Sequence, residues 1–423
     1  MENSRLAGLT NTDWLCFSFL EGIGPARLSR LYTYLNQLQK HSSDQEFMTQ
    51  LLFEDDQESG RVLSYELLRA LKWPEITARQ AMDYLSSGTL SNEQKQKRDD
   101  TMAWLEAENH HLILQEDNDY PEDLKEINVA PAFLYLEGNR DALTHPKIGI
   151  VGARKCTRYG RDITFQFAKK LSDYGVCVVS GGAMGIDTAA HQGALESQKT
   201  PTIVVAGTGL LHRYPNRNLP LFEQVLEQDG AIISEYPLTT SPRPHLFPPR
   251  NRIISGLSMG VLVAEASVKS GSLISASYAV QQNREVFALP GRLSDLQSEG
   301  CHQLLRQGAT LVRSVEDILE ECSPIRLVTS STSRGESNAA SEILETQKEP
   351  TSALVIPSLK PLTDKVSDEA RLVAALLEKE AEAMDFDMLI RQTKLNAGVM
   401  MQVLMELELL GCIDNREGLY SRC

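Results

Sequence analysis

Residues 147–187 read KIGIVGARKCTRYGRDITFQFAKKLSDYGVCVVSGGAMGID, and no other stretch constrains the fold as tightly. Two β-branched apolar runs occur in it, and each stops at glycine just where helical spacing resumes. The first, 148–151, breaks at Gly152 with Arg154 two residues on. The second, 176–180, breaks at Gly181, Gly182 and Gly185 before Asp187 opens a new helical pattern. Strand, glycine turn and helix in succession make the unit of a doubly wound sheet. Glycine lets the backbone approach a ligand closely, and the amides of the following helix favour an anion. One such turn is read equally well as an ordinary connection; two on consecutive strands point to binding.

The usual nucleotide fingerprints are absent. Gly149, Gly152 and Gly160 do not space as G-x-G-x-x-G, and no acidic residue closes the second strand where a ribose would be held. The second loop lacks the G-K-[ST] of a nucleoside-triphosphate site. Phosphate is therefore an expected ligand, NAD and ATP are not, and no cofactor is expected.

At 423 residues the chain is long enough for two to four domains. It shows no basic and apolar leader at Met1 and no apolar run long enough to cross a bilayer, so a cytoplasmic protein without a membrane partner is expected. Seven cysteines without a C-x-x-C pair suit a reducing compartment. Cys156, near the first turn, reads as a buried or incidental thiol. No His or Cys cluster has metal-ligand spacing, so no metal is expected. The net charge of -15 is uneven. Lys and Arg number 13 against 25 acidic residues in 1–146, 16 against 12 in 147–300, and 13 against 20 in 301–423. A polyanion would be drawn to the centre and repelled by its flanks.

Four regions follow. Residues 1–105 read as a small helical domain in which Gly22-Ile23-Gly24-Pro25 joins two helices, either as a helix-hairpin-helix that holds a DNA phosphate or as the turn of a plain bundle. Residues 106–322 alternate strand and helix signals, with strands at 111–115, 133–135, 202–206, 231–234, 260–264 and 285–289 beside the first two. That pattern predicts an α/β fold with a mostly parallel sheet covered on both faces. Residues 323–362 are rich in Ser, Thr, Glu and Pro and read as a flexible linker. Residues 363–423 carry helices at 370–380, 385–393 and 397–410, then a strand pair around Ile413 and Tyr420, the outline of a winged helix. Its third helix lacks Lys and Arg and contains Glu406 and Glu408, so a protein contact suits it better than a major groove.

Further motifs fall at or beyond the ends of the central strands. Gly207-Thr208-Gly209 leads to Tyr214-Pro215-Asn216-Arg217-Asn218, Ser234-Glu235-Tyr236-Pro237 leads to Phe247-Pro248-Pro249-Arg250-Asn251-Arg252, and Glu265 precedes Ser270-Gly271-Ser272. This is the edge where open sheets bind ligands. Arg154, Arg250 and Arg252 can fork onto phosphates, Ser180 and Ser270 can donate, and Phe247, with Tyr214 beside it, offers a face for an unpaired base. The plain alternatives are that Phe247 belongs to the core, that Asn251 and Arg252 cap and brace a helix, and that Glu265 only satisfies backbone amides.

Taken in order, S-G-G-A-M-G-I-D, G-T-G with Y-P-N-R-N, S-E-Y-P, F-P-P-R-N-R-I-I-S-G-L and S-G-S-L-I-S-A resemble the DNA-processing protein A (DprA/Smf) family. The likeness runs from Tyr120-Pro121 to Val312, with weaker likeness at both ends. It implies an extended Rossmann-like fold with a small helical N-terminal domain and a C-terminal winged-helix domain. It implies a homodimer that binds single-stranded DNA without cutting it and loads RecA recombinase on incoming DNA during natural transformation. Carried over by motif, the single-stranded DNA site comprises Arg154, Ser180, Gly181, Gly182, Phe247, Arg250, Asn251 and Arg252, lined by Ser270 and Gly271. Two departures are Leu211, where members usually carry an acid, and Ser275, where threonine is usual. The rival reading is an enzyme of the lysine-decarboxylase-like phosphoribohydrolase type, with Glu265 beside the N-glycosidic bond. Against it, the loop after Glu265 is S-V-K-S-G-S instead of P-G-G-x-G-T.

Overall fold

The computed structural model describes Leu6, residues 8–41, 63–322 and 368–379, and scattered residues between 384 and 422. Contacts divide the chain into two units, Met1–Ser337 and Asn338–Cys423. The first opens with helices α1 (Asn11–Ser18), α2 (Pro25–His41), α3 (Tyr65–Ala70), α4 (Glu75–Ser87) and α5 (Asn92–Trp104). Thr10 starts α1 through a reciprocal cap with Asp13, and Ser91 starts α5 likewise with Gln94. Gly22, at φ +76°, makes the turn between α1 and α2. Residues 42–62, read from sequence as helical from 44 onward, lie outside the described residues.

The sheet follows: β1 (His110–Leu114), short helix α6 (Glu122–Lys125), β2 (Phe133–Gly138), β3 (Lys147–Val151), α7 (Arg158–Asp173), β4 (Cys177–Ser180), α8 (Ile186–Ser197), β5 (Thr202–Val205), α9 (Leu219–Glu227), β6 (Ala231–Ser234), α10 (Phe247–Gly256), β7 (Gly260–Val263), α11 (Ser272–Gln281), β8 (Glu285–Ala288), α12 (Glu299–Arg306), β9 (Thr310–Leu311) and α13 (Val315–Glu321). Its order is β1-β2-β6-β5-β4-β3-β7-β8-β9, antiparallel for β1–β2 and β2–β6 and parallel elsewhere. Six predicted strands coincide with β3 to β8 within a residue or two; β9 is too short to show in the sequence pattern.

Period-two alternation covers both faces. Cys177, Val179, Ile203, Val205, Val261 and Val263 pack with Ile253 and Ile254 of α10 and Ala276 of α11. Their neighbours Val178 and Leu262 point the other way, to Phe167 and Leu171 of α7 and Ile186 of α8. Val204 and Ile232 join Phe222 of α9, Phe133 and Tyr135 of β2, and the helical segment's Trp14, Phe17 and Trp73 in a continuous cluster. The N-terminal helices thus share a core with the sheet. Among the described residues no helix is long and apolar enough to cross a membrane.

In the second unit, α14 (Asp368–Lys379) precedes β10 (Met384–Asp385), β11 (Ile413–Arg416) and β12 (Leu419–Arg422), which form a sheet of order β10-β12-β11 with both pairings antiparallel. Ala370, Val373 and Leu377 pack with Leu389, Met400, Val403, Leu407 and Ile413. The expected strand pair is therefore a three-stranded sheet, and Asp385, expected in a helix, pairs with Leu419; a two-residue strand has no periodicity to read. The predicted linker 323–362 and, in the predicted third helix, Glu406 and Glu408 lie outside the described residues.

Candidate nucleic-acid interface

Strand β3 has β4 on one side and β7 on the other. The chain winds outward through β4, β5 and β6 and then returns to β7, so the crevice between the ends of β3 and β7 is the sheet's topological switch point, the usual seat of a nucleotide. Here the protein's own carboxylate fills it. Glu265, just beyond β7, is 4% exposed. It accepts the Thr157 amide at 2.9 Å and the Thr157 hydroxyl, at the start of α7. A Cβ on Gly160 would overlap that carboxyl group.

The next turn is tied in a similar way. Asp187, in the first turn of α8, accepts the Ala183 amide at 3.2 Å. Burial pushes its carboxyl pKa up, while the nearby Arg250 charge and the loop hydrogen bonds oppose this. Asn218, from the loop beyond β5, closes the turn from above. Its amide donates to the carbonyls of Gly182 and Ala183 at 2.9 and 3.2 Å and to the Thr188 hydroxyl at 2.9 Å. Asn218 lay within the quoted Y-P-N-R-N motif but not among the candidate site residues, because nothing in sequence shows that its donors turn inward. Gly182 has φ +66° and no room for a side chain beside Phe222.

Exposed chemistry gathers one strand further along. The half-buried Phe247 ring, at the start of α10, has Tyr214 5.7 Å away and the Arg154 guanidinium 5.9 Å away. A Cβ on Gly207 would lie 2.7 Å from that ring, so glycine lets Phe247 pack closely against the β5 loop. Arg154 is exposed, and among the described residues no carboxylate lies within ion-pair distance of it. One helical turn from Phe247, Asn251 faces the same side and reaches the Gly271 carbonyl at 3.4 Å. Ser270 shares a 2.6 Å hydroxyl contact with Ser272, and Gly271 is open to solvent. The structure therefore brings Arg154, Phe247, Asn251, Ser270 and Gly271 to one accessible edge beside the Gly181-Gly182 turn.

Three expected contacts sit behind that edge. Ser180 is fully buried and donates to the Ile150 carbonyl at 2.6 Å. Arg250 is 4% exposed, lies under Gly181 and donates to the Val205 carbonyl. Burial pulls its pKa down to about 10, with Asp187 opposing. Arg252 is buried and forks onto Glu235 through two 2.6 Å bonds, with its Nε on the Val129 carbonyl at 2.9 Å. The helix-bracing alternative describes Arg252 as the structure places it. Cavities of about 230 to 330 Å³ lie away from this edge, against the helical segment and β1.

Behind the same turn, buried His191 donates from Nδ1 to the Thr202 hydroxyl, which itself donates to the Val178 carbonyl. Its Nε2 has no partner among the described residues. Burial, with help from Arg250, lowers its pKa to about 3. Above about pH 6.5 the imidazole is neutral in both folded and unfolded chains. Below that the unfolded chain takes up a proton and the folded one does not, so stability is lost as pH falls from about 6.5 toward 3, at up to about 1.4 kcal/mol per unit. His191→Asn is expected to flatten the urea-unfolding profile between pH 6.5 and 4; an unaltered slope would rule this out.

A family model described as DNA recombination-mediator protein A matches residues 111–323, and one described as DprA winged helix domain matches 357–418. Protein Smf of Escherichia coli (strain K12) is 44% identical over 245 residues, which cover 58% of this chain and 64% of that protein, somewhat under two thirds of its length. DNA processing protein DprA of Streptococcus pneumoniae is 45% identical over 205 residues, 48% of this chain and 72% of that one. The X-ray structure of the Streptococcus pneumoniae protein superposes with a TM-score of 0.58 at 33% identity, covering 74% of this chain and 98% of that one.

Proposed function

The chain belongs to the DNA recombination-mediator protein A (DprA/Smf) family, and from that premise we propose that it is a single-stranded DNA-binding protein without catalytic activity. It protects incoming strands in the cytoplasm and loads RecA recombinase on them during natural transformation, acting as a homodimer; these finer roles rest on the family resemblance. One observation carries the binding reading: an aromatic face and a guanidinium that has no carboxylate partner among the described residues, Phe247 and Arg154, stand together at the ligand edge of the basic central segment 147–300. That pairing suits a base and its phosphate. Arg154, Phe247, Asn251, Ser270 and Gly271 form the accessible part of the pocket, and the buried Gly181 and Gly182 turn lies beside them. Ser180, Arg250 and Arg252 hold it from behind. Glu265, the acid of the phosphoribohydrolase reading, is 4% exposed and engaged by the Thr157 amide and hydroxyl, which weighs against that reading.

The test is a titration of the full chain with a fluorescent single-stranded oligonucleotide and its duplex over a range of salt. Binding is expected to favour the single strand and to weaken with salt, log K falling by about 0.7 per phosphate neutralised for each unit of log salt. Equal affinity for duplex, or no salt dependence, would remove this function.

A further inference from the structure

The motif that defines the fold is a pair of glycine turns suited to phosphate, yet the turn at the switch point already holds an anion. We infer that Glu265 is a resident anion that occupies the phosphate position of the β3–α7 turn and bars free nucleotides from the switch-point crevice. Its consequence for specificity rests on the strand-binding reading above; the occupancy itself does not.

Several observations agree. Glu265 is 4% exposed and sits at the one crevice where a doubly wound sheet normally takes a nucleotide phosphate. Its carboxylate accepts the Thr157 amide at 2.9 Å and the Thr157 hydroxyl, the donors that a bound phosphate would otherwise use. Gly160 leaves space above the first turn of α7, and the carboxyl group takes up that space. The backbone fixes the residue in place, since the Ala153 amide donates to the Glu265 carbonyl at 2.8 Å and the Ala266 amide to that of Gln297 at 2.7 Å. Arg154 leaves the same β3 loop but turns outward to Phe247. A ligand phosphate is thus refused at the crevice and accepted at the rim. A strand can lie along the rim; a mononucleotide, which needs its one phosphate held firmly, finds that position taken.

The experiment compares full-length wild-type protein with Glu265→Ala and Glu265→Gln. Acetate has the size and charge of the atoms that the alanine variant lacks. Thermal melts are recorded in sodium acetate and in sodium chloride at matched ionic strength, and AMP is titrated into all three proteins beside a single-stranded oligonucleotide. Glu265→Ala is expected to melt several degrees lower, as for loss of a helix-start partner, at about 2–4 °C per kcal/mol. Acetate restores part of that loss and chloride does not. AMP binds Glu265→Ala at least about fivefold more tightly than wild type, because the carboxyl position is then empty and a like charge at contact distance costs that much even when water screens it; Glu265→Gln, whose amide still fills the space, binds AMP no better than wild type. If acetate stabilises Glu265→Ala no more than wild type, or if AMP binds wild type as well as it binds Glu265→Ala, the inference is overturned. Should Glu265→Ala fail to fold, Glu265→Ser replaces it in both measurements, since its short side chain still leaves the carboxyl position empty. Acetate rescue with no oligonucleotide binding by wild type would support the resident anion and remove the strand-binding reading.

Discussion

Phe247→Ala is expected to weaken single-strand binding by about 1–3 kcal/mol, roughly 5- to 150-fold, because it removes the face on which a base stacks. The ring is only half buried and packs on Gly207 and Tyr214 at the rim, so the sheet beneath it stays intact. Arg154→Ala acts on a different part of the same contact. It removes one exposed guanidinium, so affinity falls and the slope of log K against log salt becomes shallower by about 0.7. The two groups are 5.9 Å apart, and a double-mutant cycle should show them coupled. Fluorescence anisotropy with an unstructured oligonucleotide, with circular dichroism to check the fold, reads all three variants. Unchanged affinity in both single variants would move the site elsewhere.

Much of this architecture was legible because it depends on residue type at short range. The runs that become β3 to β7 are rich in β-branched residues, those of β3 to β6 end at glycine or a hydroxyl residue, and their alternation with helices permits few folds besides a mostly parallel sheet. Phe247 and Arg154 stand out as candidates for a base and a phosphate for the same reason, their residue type beside a strand end. The direction in which a charged side chain turns was not. Arg250 and Arg252 are identical residues two apart on one helix, with Arg250 on the same face as Phe247. Yet Arg250 reaches the Val205 carbonyl beneath the glycine turn and Arg252 reaches Glu235 on the far side. Those partners lie at the ends of other strands, which no local pattern reports. The glycine turns carried a similar ambiguity. Sequence identified two helix starts able to hold anions, while the structure shows Glu265 and Asp187 holding the amides there. Asp187 closes the second glycine run itself, but the carboxylate that fills the switch point comes from beyond β7, about a hundred residues downstream.

The same distinction between rim and brace gives the largest expected loss of stability. Glu235 and Arg252 form a two-pronged pair whose side chains are 2% and 7% exposed. Glu235→Ala leaves the guanidinium buried with only the carbonyls of Val129 and Pro249 to meet it. Removing one partner of such a pair is worth about 3–5 kcal/mol, mostly because the remaining charge stays out of water without compensation. Arg154→Ala, on the exposed rim, is expected to shift stability by no more than about 0.5 kcal/mol. Urea unfolding of the two variants side by side separates a brace from a contact. The paired replacement Glu235→Leu with Arg252→Met removes both charges together and should recover most of the loss, since well-packed apolar substitutes for a buried ion pair are often neutral or stabilising by about 1–4 kcal/mol. If Glu235→Ala proved as stable as wild type, Arg252 would have an outlet to solvent, and its guanidinium would return to the strand-binding surface where the sequence first placed it.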